Sequence, residues 1–377
     1  MSHEIATTVD GRFAMAYLDG DAAPWHAAET NPSIVPANMP IEVWFQAAGL
    51  DYSVAIAPHF RADGSQIENS NYIYRMDTSA ILGPYIAGQW KPVQNLAALA
   101  LAERLAAKHG YKIVTAGALF DGATIWVQME TSLAAELPGE DHIVDRPLFV
   151  IRHTGTDANT FGSVKTRVVC NNTLTAALMS SDADMVRHDH RLAFDLDVVE
   201  AALVKNEEQF GDFTVLAQQM ARTAMTDATA LDFFRTVFGG KEKVSANGEV
   251  QHSVAVRRAM AFRSGQDFVA IGQKAEAEVI AEVDAAIDRA ARAAGHGAVI
   301  VPSPVANDVL PVNPGFDMES ARGTVWGGFN TVSWLADQRP AKNRGASQAM
   351  ASHLMGDGTG GRHKARAWNA ARELISA

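Results

Sequence analysis

The feature that most constrains this chain is a dipeptide. Asp121-Gly122 stands between two β-rich runs, 111–118 and 123–130, the second reading ATIWVQME. Asp-Gly between such runs is among the strongest local signals for an antiparallel hairpin. A second strand pair is expected just downstream. Residues 146–153 (RPLFVIRH) and 164–170 (VKTRVVC) flank a polar loop, 154–163, and run into Asn171-Asn172-Thr173. Those three polar side chains suit the N-cap of a helix over 174–179.

Helices are expected around this centre. Residues 41–49 read as a short helix closed by a glycine, and 70–76 (SNYIYRM) as a strand before turns at 81–91. Asn95 is expected to cap an Ala/Leu-rich helix over 96–109 that Gly110 ends. Residues 195–235 have a helical pattern, and 239–266 is more basic. The run 273–294 carries Val279, Ile280, Val283 and Ile287 at helical spacing. Four prolines within 295–315 mark a long connection, and 316–377 reads as helices over 326–335 and 363–375 around a glycine-rich turn at 356–361. The expected class is α+β: a central β-hairpin/β-hairpin/helix core, β-β-β-α-like, with a largely helical C-terminal half. The expected regions are an α+β core over 1–194, a helical region over 195–297, and a linker with a basic helical region over 298–377.

Composition narrows the class further. At 377 residues with 47% hydrophobic and 20% charged side chains, the chain can bury an extensive core, which excludes disordered and collagen-like readings. The single cysteine, Cys170, cannot form an internal disulfide and sits at an apolar strand end, where a thiol behaves as a small hydrophobe. The residues Met1-Ser2-His3-Glu4 lack the basic and apolar regions of a secretory signal, and mean hydropathy is -0.05. A cytoplasmic protein without membrane spans is expected.

Signals for catalysis are sparse. There is no G-x-S-x-G elbow and no H-E-x-x-H. His188-Asp189-His190 could meet a metal from one strand face, but Arg187 and Arg191 flank it and oppose a cation, so a solvated polar segment is expected. The run Gly356 to Lys364 fails the Walker pattern, because Arg362 and His363 stand where Lys and Ser/Thr are required. No cofactor and no metal are expected, and an enzyme, such as a metal-dependent nuclease, would rest only on scattered His and Asp.

Charge is more informative. The chain carries a net charge of -11, yet eight basic residues face three acidic ones from position 322 onward, leaving +5 there and -16 on residues 1–321. A smaller island lies in 146–172, where Arg146, Arg152, Lys165 and Arg167 face only Asp157. Residues two apart on a strand share a face, so Lys165 and Arg167 point the same way, as a phosphate-tracking groove requires. The alternative is that these cations pair with acidic helices of the same fold or of a neighbouring subunit.

Four stretches carry a resemblance. Pro24-Trp25-His26, the run WKPVQN at 90–95 followed by TAGAL at 115–119, RVVCNNTL at 167–174 and GTVWGGFNTV at 323–332 occur in the order found in the phage/plasmid-like protein family of uncharacterised mobile-element proteins. The chain resembles that family over nearly its whole length, departing from it at Ala27-Ala28-Glu29 and at Trp90. More remotely, the hairpin, hairpin, helix core is similar to that of phage single-strand annealing proteins. The resemblance implies a non-enzymatic single-stranded DNA-binding and annealing protein acting in homologous recombination as a homo-oligomeric ring or filament. The partners it implies are single-stranded DNA, further copies of the chain, and a phage exonuclease or host single-strand-binding protein.

On this reading Arg146, Arg152, Lys165 and Arg167 line the strand path. Asn171 and Asn172 bond phosphate or cap the next helix, and Trp90 and Lys91 supply a stacking face and a cation unless Trp90 belongs to the core. Arg362, Lys364 and Arg366 add a second contact or dock a neighbouring subunit. A competing reading, motivated by the acidic helical runs, is a protein-interaction factor that modulates host defence or plasmid replication.

Overall fold

The computed structural model describes residues 5–20, 32–86, 90–155, 158–167, 172–173, 185–239, 243–244, 250–251, 318–337 and 358–376, with isolated positions between 253 and 263. Strands β1 (Met15–Leu18) and β2 (Ser33–Val35) are followed by helix α1 (Ile41–Ala47). Next come β3 (Val54–Phe60), β4 (Gln66–Arg75), β5 (Ile81–Ile86) and helix α2 (Asn95–His109). Six strands follow: β6 (Lys112–Leu119), β7 (Thr124–Glu130), β8 (Ala134–Leu137), β9 (Asp141–Arg152), β10 (Asn159–Arg167) and the short β11 (Asn172–Thr173). After β12 (Met185–His188) the chain turns helical, with α3 (Leu196–Arg222) and α4 (Asp227–Phe238). The short pair β13 (Lys243–Val244) and β14 (Val250–Gln251) precedes α5 (Val325–Asp337) and α6 (Gly358–Ser376). The class is α+β, as expected.

Among the described residues nine strands form the main sheet, in the order β11-β10-β9-β7-β6-β1-β2, with β12 on β10 and β8 on β9. Among the described strands, only β1 and β2 run parallel. Strand β9 is long because it serves two neighbours on one side: 141–144 pair with β8 and 148–152 with β7, while β10 runs along its other edge. A separate antiparallel sheet has the order β3-β4-β5.

Strand alternation gives the main sheet two distinct faces. Ile125, Val127, Phe149, Ile151 and Phe161 lie on the face that α2 covers with Ala98, Leu101 and Leu105. Toward β8 the same face continues through Ile143, where α3, α5 and α6 pack with Phe210, Phe213, Trp326, Phe329 and Trp368. The opposite face collects Met15, Trp126, Leu148, Val150 and Val164. A Cβ at Gly117 would overlap the Trp126 ring and come within 2.6 Å of the Ala14 carbonyl oxygen, so the indole has room only beside a glycine.

The Asp-Gly turn joins β6 to β7 as expected, but it is a tight one: Phe120 and Asp121 both have left-handed φ, +55° and +56°. Arg75 of the smaller sheet and Tyr52, just before β3, clamp it. Tyr52 donates its hydroxyl to the Gly122 carbonyl at 2.7 Å, and Arg75 Nη1 donates to the Asp121 carbonyl at 3.1 Å. Such φ values persist where surrounding contacts hold them.

Other expectations shift. The loop expected at 154–163 is shorter, because 160–163 already pair with β9. Residues 172–173 form a strand on β10 rather than a helix cap, and the helix expected at 174–179 lies outside the described residues, as do Cys170 and the runs 273–294 and 295–315. Helix α2 begins at Asn95 itself, with Gln94 at the cap position; Gly110, at φ +71°, ends it as expected. Residues 358–361, expected in a turn, are the first turn of α6. Among the described residues no helix is long and apolar enough to cross a membrane.

Candidate nucleic-acid interface

Lys165 and Arg167 do share a face of β10, but it is the face that α3 and α5 cover. Lys165 sits directly opposite Asp145 in register, and its Nζ lies 2.5 Å from Asp145 Oδ1 and 3.2 Å from Ser163 Oγ. The Phe210 ring lies 5.8 Å from the same ammonium. Arg167, wholly buried, donates from Nε to both oxygens of Asp141, at 2.8 and 2.9 Å. Asp141 also accepts from Ser320 Oγ at 2.5 Å and Trp326 Nε1 at 3.2 Å, which ties the hairpin to the start of α5.

The other two cations of the island belong to the opposite face. Arg146 pairs with Glu130 at 2.9 Å, and half-buried Arg152 donates from Nη1 to the Ala158 carbonyl and, at 3.2 Å, to Thr160 Oγ1. These four side chains do not form one open row. A buried charge is tolerated only when paired and hydrogen-bonded, and the acidic groups that pair three of them come from β7 and β9. The strand path expected along the hairpin is therefore replaced by internal ion pairs. The sequence signal for this was the strand register itself, since Asp145 faces Lys165 across β9 and β10.

Trp90 and the histidines form a second cluster. Trp90 stacks on His190 with ring centroids 4.3 Å apart and packs against the core, while Lys91 has an exposed side chain and a backbone N–H that donates to the His190 carbonyl. His188 and His190 are only 9% and 5% exposed, so the solvated segment expected there is instead a packed one. His188 meets the edge of Phe194, and Asn159 Nδ2 lies 3.4 Å from its Nδ1.

Nearby His153 is wholly buried. Asn95 spends its amide N–H groups on the Leu50 and Tyr52 carbonyls, so its oxygen accepts the proton on His153 Nε2 at 3.0 Å. Burial, and then the charge of His190, push the His153 imidazole down to about 3. Among the described residues no group of three or more His, Cys, Asp or Glu could hold a metal ion.

The C-terminal cations are placed differently. Helix α6 buries Ala367, Trp368 and Ala371, with Trp368 stacked on Phe213 at 5.1 Å and edge-on to Phe329. Its other face carries Arg362 and Arg366, one turn apart and exposed, with exposed Glu373 further along the same face. Lys364 points inward and is 3% exposed. Asn171 lies outside the described residues, and Asn172 is a backbone partner of Arg167 in β11.

The glycine pair of the GTVWGGFN stretch explains itself in α5. A Cβ at Gly327 would overlap the Ala321 carbonyl, and one at Gly328 would come 2.8 Å from Met225 Sδ. A family model described as a domain of unknown function, DUF932, matches residues 85–355. No curated protein and no solved structure matches.

Proposed function

The chain belongs to the family defined by that domain of unknown function, DUF932, and from this premise we propose that it is a non-enzymatic single-stranded DNA-binding protein of a phage or plasmid, annealing strands as a homo-oligomer. The carrying observation is the exposed arginine face of α6. Arg362 and Arg366 face solvent on a helix whose other side is anchored by Trp368, in a chain that is otherwise strongly acidic. Cations confined to one face contact phosphates without reading sequence, and an acidic remainder keeps nucleic acid from coating the protein elsewhere. Both arginines lie beyond the span the family model matches, so the reading rests on this chain's own residues. The resemblance to phage/plasmid-like proteins supports the mobile-element setting.

The test is binding of labelled oligo-dT at rising salt. Affinity should be modest and fall steeply, with a log–log slope of about -0.7 per phosphate contacted. Absence of binding at low ionic strength, or binding indifferent to salt, would overturn the proposal. Particle images with and without the oligonucleotide test the assembly, for which a closed ring or a filament is expected.

A further inference from the structure

The small sheet β3-β4-β5 has an aromatic face that the arginine helix does not account for. Tyr72 and Tyr74 lie two apart on the central strand β4 and so share a face, and the register places Ala57 and Ala55 directly opposite them on β3. His59, two residues beyond Ala57, completes the row. Ring centroids are 5.2 Å apart for His59 and Tyr72 and 5.8 Å for Tyr72 and Tyr74, with interplanar angles of 41° and 44°. Rings tilted in this way do not close their faces against one another, and the two alanines add no bulk over them. All three are half-exposed, and neither tyrosine hydroxyl has a hydrogen-bond partner among the described residues, whereas Ile73 and Arg75 on the reverse face are buried.

Resting on the single-stranded DNA reading above, we propose that Tyr72, Tyr74 and His59 form a base-stacking platform for single-stranded nucleic acid. Rings repeated at two-residue strand spacing, about 6.7 Å, suit successive unstacked bases, and every base offers a π face. A protein strand is a poorer occupant, because the free edge of β3 is already blocked. The Gln94 carboxamide accepts from the Val54 N–H at 3.0 Å and donates to the Val54 carbonyl at 2.9 Å, and Pro58, two pairs further along that edge, has no N–H. Charge divides the labour. No Lys or Arg stands among Ala55, Ala57, His59, Tyr72 and Tyr74, so the platform contributes stacking, while α6 contributes the salt-sensitive contacts.

The test compares three things in one titration: oligo-dT, an abasic oligomer of equal length, and the variants Tyr72→Leu/Tyr74→Leu and Arg362→Glu/Arg366→Glu. Leucine keeps apolar bulk without the π face, and circular dichroism checks that each variant is folded. The leucine variant should lose about tenfold in affinity per ring for oligo-dT with an unchanged salt slope, and should not differ from wild type on the abasic strand. The glutamate variant should lower the slope itself. If wild type binds oligo-dT and the abasic strand equally and the leucine variant matches it, the platform is overturned and the DNA-binding reading stands. If wild type binds no oligonucleotide at low salt, that reading falls and takes the platform with it.

Discussion

Arg167 and Asp141 meet where no water reaches: both side chains have zero exposure, and one guanidinium nitrogen bonds both carboxylate oxygens. Removing one member of such a pair strands the other charge. Arg167→Met should therefore destabilise the chain by about 3–5 kcal/mol, read as a lower urea midpoint. Ser320→Ala removes only one hydrogen bond to the same carboxylate and should cost about 1–3 kcal/mol.

Lys165 and Arg366 should separate stability from binding. Lys165→Met leaves Asp145 uncompensated, so the urea midpoint should drop while the folded protein keeps its salt slope for oligo-dT. Arg366→Ala should leave the midpoint within about 0.5 kcal/mol of wild type and reduce the slope by about one phosphate's share. Measuring both quantities on both variants checks the assignment.

His153 predicts an acid sensitivity with a defined sign. Its folded value lies near 3, below the ordinary 6.5, so between those values the unfolded chain binds the extra proton. The neutral imidazole costs nothing above about pH 6.5, and stability is lost as pH falls from there toward 3, by up to about 1.4 kcal/mol per pH unit. In a series of urea midpoints against pH, His153→Gln should flatten this part of the profile.

Gly117 and Gly327 are predicted to reject alanine. The new methyl would meet the Trp126 ring in one case and the Ala321 carbonyl in the other, and neither is the mobile end of a flexible side chain. Each variant should lose about 1–3 kcal/mol, read by thermal or urea unfolding. Gly110→Ala has open space around its Cβ and should be milder, suffering only from its φ of +71°.

The sequence carried the hairpins and the helices through local signals. Asp121-Gly122, Gly110 and the periodicity of 195–235 each depend on neighbours a few residues away. The direction in which the hairpin cations point was partly legible: alternation paired Lys165 with Arg167, but nothing local says whether that shared face meets solvent or a helix. That outcome is decided by α3 and by Trp326, which is 185 positions from Asp141. Asn95 shows the same limit, since its local context suggests a cap while its amide is claimed by Leu50, Tyr52 and His153.

That span between Asp141 and Trp326 also matters during synthesis. At about 5–20 residues per second, the hairpin leaves the ribosome roughly 10–40 s before the indole that completes its carboxylate's hydrogen bonds. Until then Asp141 and Arg167 lack the start of α5 over them, and the emerging sheet must stay partly hydrated. The growing chain thus passes through a waiting period that ends only when its last helices arrive.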